Sequence, residues 1–118
     1  MNRRKTGAAW EHAAAEYLEQ QGYQILERNF YSRYGEIDLI ARDGETLVFA
    51  EVKYRAESTV QRPEEAVDWK KQRRISRTAD YYRVKHRILE DVPCRFDVIA
   101  VTPGEITLYR DAFSYCGW

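Results

Sequence analysis

Asp38, Glu51 and Lys53 are spaced so that two carboxylates and an ammonium can meet on one face of a β-hairpin. Such a set suits a hard divalent cation: Mg²⁺ is held by one or two carboxylates together with waters and substrate phosphate. An ammonium beside it can orient a water or stabilise charge developing on a phosphate. In a strand over 46–55, Leu47, Phe49, Glu51 and Lys53 share one face, and Val48, Ala50, Val52 and Tyr54 share the other. Both faces begin apolar, so the strand is covered on both sides, and Glu51 and Lys53 stand at the rim of a core. If Asp43 and Gly44 are the two turn residues, Asp38 lies opposite Phe49 and diagonal to Glu51. With a four-residue loop from Asp43 to Thr46 it lies directly opposite Glu51. Directly opposed Cβ atoms are about 5 Å apart, close enough for both carboxylates to reach one ion and for them to repel each other without it. A three-residue loop would reverse the faces. Lys53 lies roughly 7 Å beyond Glu51 along the strand. An ordinary cross-strand ion-pair cluster at a sheet edge accounts for this spacing equally well.

The elements that must position these residues follow from periodicity. Trp10, Ala14, Tyr17 and Leu18 recur at helical spacing over 7–21, and Gly22 is a natural stop, with 1–6 left as a flexible tail. A half-buried strand spans 23–29, and a polar loop spans 31–35. Strands over 36–42 and 46–55 pair around Asp43-Gly44. A polar stretch without a period covers 56–62. Pro63 then opens a helix to about residue 86, with Glu64 and Glu65 in its first turn. Strands over 94–102 and 105–109 flank Pro103-Gly104. The order α-β-β-β-α-β-β predicts an α/β fold in one domain over 1–118, a single mixed sheet flanked by two helices.

Both helices carry ionisable residues near their apolar stripes. Glu11 lies one turn from Ala14 and Ala15, at the stripe's edge, where simple solvation is the plainer reading. Lys71 shares the inward face of the second helix with Ile75, Thr78, Ala79 and Tyr82, although a snorkelling stem would look the same. Lys70, Arg73, Arg74 and Arg77 form a basic stripe on another face, suited to successive phosphates or to plain solvation.

Composition narrows the classes. With 19 Lys and Arg against 19 Asp and Glu, any attraction to a polyanion must come from local clustering. Two cysteines and two histidines are too few for a strong zinc signature and fit a reduced intracellular protein. No stretch approaches the roughly 20 apolar residues of a membrane span. The start Met1-Asn2-Arg3-Arg4-Lys5 lacks the apolar core of a signal peptide, so a cytoplasmic location away from membranes is expected.

Ile37-Asp38 followed by Glu51-Val52-Lys53 resembles the PD-(D/E)XK nuclease signature. Gly7 with Glu11, Asn29, the run from Gly35 to Ile40, Phe49 to Lys53, Lys71-Gln72 and Arg95-Phe96-Asp97 together resemble the YraN-like bacterial family, relatives of archaeal Holliday junction resolvases. The resemblance implies a restriction-endonuclease-like core and a metal-dependent DNA endonuclease acting on branched or structured DNA. It implies catalytic roles for Glu11, Asp38, Glu51 and Lys53. Mg²⁺, replaceable by Mn²⁺, would be held by Asp38, Glu51 and the Val52 carbonyl, and Lys71 would contact substrate or support the site, next to the stripe of Lys70, Arg73, Arg74 and Arg77 that helix spacing gives for nucleic-acid binding. Paired cutting would call for a homodimer, yet no exposed apolar stripe marks an interface. The rival reading is a non-catalytic nucleic-acid-binding or assembly protein that keeps the fold.

Overall fold

The computed structural model describes residues 3–55 and 67–117, with residues 3–8 as backbone alone. Seven elements follow in the expected order: α1 (Arg3–Gln20), β1 (Gln24–Ser32), β2 (Gly35–Asp43), β3 (Thr46–Tyr54), α2 (Trp69–Lys85), β4 (Cys94–Thr102) and β5 (Glu105–Phe113). The strands form one sheet in the spatial order β1-β2-β3-β4-β5. Neighbours are antiparallel except β3 and β4, which run parallel from Leu47↔Cys94 to Tyr54↔Val101. A parallel pair needs a crossover, and the chain that includes α2 supplies it.

β3 lies in the middle of the sheet and is covered on both faces, as its apolar run requires. Leu47 and Phe49 join Ile75, Ala79 and Tyr82 of α2 in one core, where Tyr82 meets Phe30 and Phe49 edge-on at 5.2 and 5.9 Å between ring centroids. Val48 and Ala50 join Ala14, Ala15 and Leu18 of α1 in the second core. The N-terminal half of α1 is anchored by Trp10, whose ring stacks on Tyr54 at 3.6 Å. Beyond α1, Tyr23 and Arg95 close around the fully buried Asp97. That carboxylate accepts from the Tyr23 hydroxyl at 3.2 Å, the Arg95 guanidinium at 3.1 Å and the Asp111 N–H at 2.9 Å.

Four boundaries differ from expectation. α1 begins at Arg3, so residues 3–6 belong to the helix. The polar segment 31–35 is largely strand: Tyr31↔Glu36 and Ser32↔Gly35 pair, leaving only Arg33 and Tyr34 in the turn. Tertiary contact overrides composition there, because the Ser32 hydroxyl lies 3.0 Å from the Thr78 hydroxyl of α2 and takes the Tyr34 N–H at 3.1 Å. α2 starts at Trp69, where the Asp68 carboxylate accepts the Lys71 N–H at 2.8 Å as an N-cap. The expected start at Pro63 and the expected loop over 56–62 lie outside the described residues. β5 reaches Phe113 through a bulge with Asp111 at φ +53°, and Phe113 stacks on Phe96 at 5.1 Å.

Gly35 has φ +154°, and a Cβ there would stand 3.4 Å from the Arg74 Cβ. Gly44, at φ +60°, faces open space. Gly35→Ala should therefore lose about 1–3 kcal/mol in urea unfolding, from backbone strain and crowding against α2. Gly44→Ala should lose less, about 1–2 kcal/mol. Equal losses would show that α2 does not press on the β1–β2 turn.

Candidate metal centre

The β2–β3 pairing runs from Asp43↔Thr46 to Leu39↔Ala50, with Gly44 and Glu45 at the tip. This is the register that carries Asp38 toward a position opposite Glu51. The ladder, however, stops at Leu39↔Ala50, and beyond it the Asp38 carboxylate accepts the Val52 N–H at 2.8 Å. A side-chain acceptor replaces a strand carbonyl, so the two strands separate where the acidic groups gather. The alternation of β2 also breaks here: Ile37 and Ile40 both enter the α2-side core, while Leu39 enters the α1-side core. Asn29 of β1, facing Asp38 between the pairs Arg28↔Leu39 and Phe30↔Ile37, sits at φ +53°, a conformation asparagine tolerates.

This break exposes Asp38 to both helices. From the α1 side comes Glu11, one residue beyond the Trp10–Tyr54 stack. Carboxylate oxygens of Glu11, Glu36 and Asp38 lie within 4.8 Å of one another. Glu51 hydrogen-bonds Asp38 from the α2 side and meets the Lys71 ammonium at 2.5 Å. Glu51 is 4% exposed, and its carboxyl is pushed up to about 8, first by burial and then by the neighbouring Asp38, against the pull of Lys71. Glu36 is pushed up to about 6 by burial, then by the Asp38 charge. Glu11 is raised by burial and by Asp38 and lowered by its hydrogen bond to Asn29. Lys71 is held above its usual range by Glu51, Asp38 and Glu36, although burial opposes the charge.

The structure thus gathers Glu11, Asp38, Glu51 and Lys71. Val52 enters through its N–H, which Asp38 accepts. Lys53 is half-buried, and among the described residues no ion pair or hydrogen bond ties it to either carboxylate. Glu36 is the acidic member that sequence reasoning passed over. It stands two residues before Asp38 on the same strand, and that period was the available signal. Lys70, Arg73, Arg74 and Arg77 lie along α2, where the Arg77 guanidinium sits 5.8 Å from the Tyr34 ring and that of Arg73 sits 5.7 Å from the Trp69 ring. Arg33, 5.0 Å from the Tyr34 ring centroid, joins them from the β1–β2 turn. Glu11, Glu36 and Asp38 present a donor set made only of oxygen, with Glu51 beside Asp38, which fits Mg²⁺ or Mn²⁺ and disfavours soft metals. Among the described residues no helix is long and apolar enough to cross a membrane.

Fold and site together define an α/β protein with an acidic cluster at the open end of a hairpin and a basic helix beside it. The chain belongs to the family described as "Uncharacterised protein family UPF0102", whose model matches residues 10–101. It is 50% identical to the UPF0102 protein of Lachnoclostridium phytofermentans over 117 residues, covering 99% of each chain. A UPF0102 protein of Symbiobacterium thermophilum is 52% identical, over 86% of this chain and 85% of that one. The UPF0102 protein YraN of Salmonella agona is 41% identical, over 97% and 88% respectively. The YraN-like resemblance read from the motifs is thereby borne out.

The raised carboxyls carry a pH signature. A carboxyl whose folded value lies above its unfolded one favours folding while protonated, and that contribution fades as pH rises from the unfolded value through the folded one. For Glu51 the window runs from 4.5 to about 8. In EDTA, the parent should lose thermal stability relative to Glu51→Gln as pH rises through that window, since glutamine stays neutral. A constant difference between the two Tm values would mean that Glu51 does not titrate there.

Proposed function

We propose that the protein is a Mg²⁺-dependent DNA endonuclease, acting on branched or structured DNA. The observation that carries this reading is the cluster of Glu11, Glu36 and Asp38, whose carboxylate oxygens lie within 4.8 Å of one another, joined through Asp38 to Glu51, which pairs with Lys71. Carboxylates held this closely repel one another, and a divalent cation relieves the repulsion. Asp38 and Glu51 would hold the ion, with Glu11 and Glu36 close enough to share it and the Val52 carbonyl as a further oxygen. When bound, Mg²⁺ supplies Lewis-acid polarisation of a phosphate and lowers the pKa of water.

The chain's own groups do the rest. Strand alternation puts Lys53 on the face of Glu51, roughly 7 Å further along, within reach of the substrate side of the site. As an ammonium it would stabilise the charge that builds on the scissile phosphate, or position the attacking water. Lys70, Arg73, Arg74 and Arg77 would take neighbouring phosphates, which gives affinity and orientation without reading sequence.

Asp38→Asn and Glu51→Gln should each weaken Mn²⁺ binding in calorimetric titration and remove Mg²⁺-dependent cleavage of branched DNA. Lys53→Ala should remove cleavage while Mn²⁺ binding stays near that of the parent. If both carboxylate variants bind Mn²⁺ like the parent, the ligand assignment is wrong. Full activity of Lys53→Ala would take the lysine out of the mechanism.

One observation favours the non-catalytic reading. Lys71 already pairs with Glu51, the most buried carboxylate of the cluster, as a side-chain cation does in a site that takes no metal. That reading calls for salt-sensitive DNA binding that persists in EDTA, with no cleavage in any divalent cation. Neutralising Arg73, Arg74 and Arg77 together should, on either reading, flatten the slope of log affinity against log salt by about 2–3. An unchanged slope would leave the stripe as a solvated helix face.

A further inference from the structure

Beside the acidic cluster, α2 and the β1–β2 turn enclose an open groove of about 480 Å³. It is lined by Arg33, Tyr34, Trp69, Lys70, Arg73, Arg74 and Arg77. Five of these residues carry fixed positive charge and two are aromatic. Both walls are close to the cluster along the chain. Tyr34 is two residues before Glu36, and Lys70 directly precedes Lys71, which is paired to Glu51. Trp69 is 61% exposed, at the first turn of α2, with the Arg73 guanidinium 5.7 Å from its ring centroid.

We propose that this groove binds single-stranded DNA, with Trp69 as a stacking platform for one base and the arginines holding the flanking phosphates. The groove is basic, so it complements a polynucleotide backbone despite the neutral balance of the whole chain. The aromatic floor decides between strand forms. In a duplex the π-faces of the bases are already stacked on one another, and a side-chain ring in a phosphate-binding groove gains nothing from them. A single strand offers those faces, and an exposed indole flanked by cations is the kind of surface on which successive bases stack. Tyr34, contacted by the guanidiniums of Arg33 and Arg77 at 5.0 and 5.8 Å, forms a second wall of cations ordered by an aromatic ring. The identity of the polynucleotide as DNA rests on the endonuclease reading; the preference for a single strand rests on the groove.

Fluorescence anisotropy in EDTA tests this without depending on metal or cleavage. The probes are a labelled single-stranded DNA of about twelve nucleotides and the duplex of the same length. The parent should bind the single strand more tightly than the duplex. Trp69→Ala should lower single-strand affinity about tenfold with an unchanged salt slope, since no charge is lost, and Trp69→Phe should restore most of the loss. Arg74→Gln should flatten the slope instead. Duplex binding as tight as single-strand binding, or no effect of Trp69→Ala, would overturn the proposal. So would tighter binding of a uridine RNA strand of that length. Failure of the endonuclease reading is a separate result: a parent that prefers the single strand here but cleaves nothing in Mg²⁺ keeps the groove and loses the chemistry.

Discussion

Asp38 accepts the backbone N–H of Val52 at the point where the ladder between β2 and β3 ends, and much of the site follows from that hydrogen bond. It satisfies a main-chain donor that the parting strands would leave without its ladder partner. It also fixes one carboxylate oxygen, so the side chain is oriented by the sheet itself. Strand separation makes room between the two helix-covered faces, and Glu11 from α1 and Glu51 from β3 then approach the same carboxyl from opposite sides. With Glu36 two residues upstream, four acidic groups gather where burial and mutual repulsion raise Glu11, Glu36 and Glu51 above their usual range. Such crowding is costly unless a cation offsets it.

Two aromatic devices hold the helices at this opening. The Trp10–Tyr54 stack pins the N-terminal half of α1 to the end of β3, which brings Glu11 over the cluster. On the other face Tyr82 wedges between Phe30 and Phe49, and Ser32 meets Thr78, so α2 is braced against both the centre of the sheet and its β1 edge. The same helix then serves two chemistries. Lys71 turns inward to Glu51, while Lys70 and Arg74 face out beside the β1–β2 turn. The C-terminal residues lie against the helix as well: Cys116 donates its N–H to the Ser76 hydroxyl and Arg77 donates to the Gly117 carbonyl.

The sequence by itself determined the element order and the sheet flanked by two helices, because periods of two and 3.6 and the punctuating Gly residues are local properties of the chain, and its spaced motifs carried the resemblance to the family. It also left two registers that bring Asp38 to the face of Glu51 and a third that reverses the faces, because a hairpin's loop length fixes which residues oppose. Only the tertiary structure decided between them, and only it revealed that alternation fails at Asp38 and Asn29, so that groups from both faces of the sheet meet there. The Arg33–Tyr34 wall was equally hidden. A polar run such as 31–35 reads as a loop until Ser32 finds Thr78, 46 residues away. Strand pairing and side-chain contact across such separations depend on how the whole chain packs, and no local pattern encodes them.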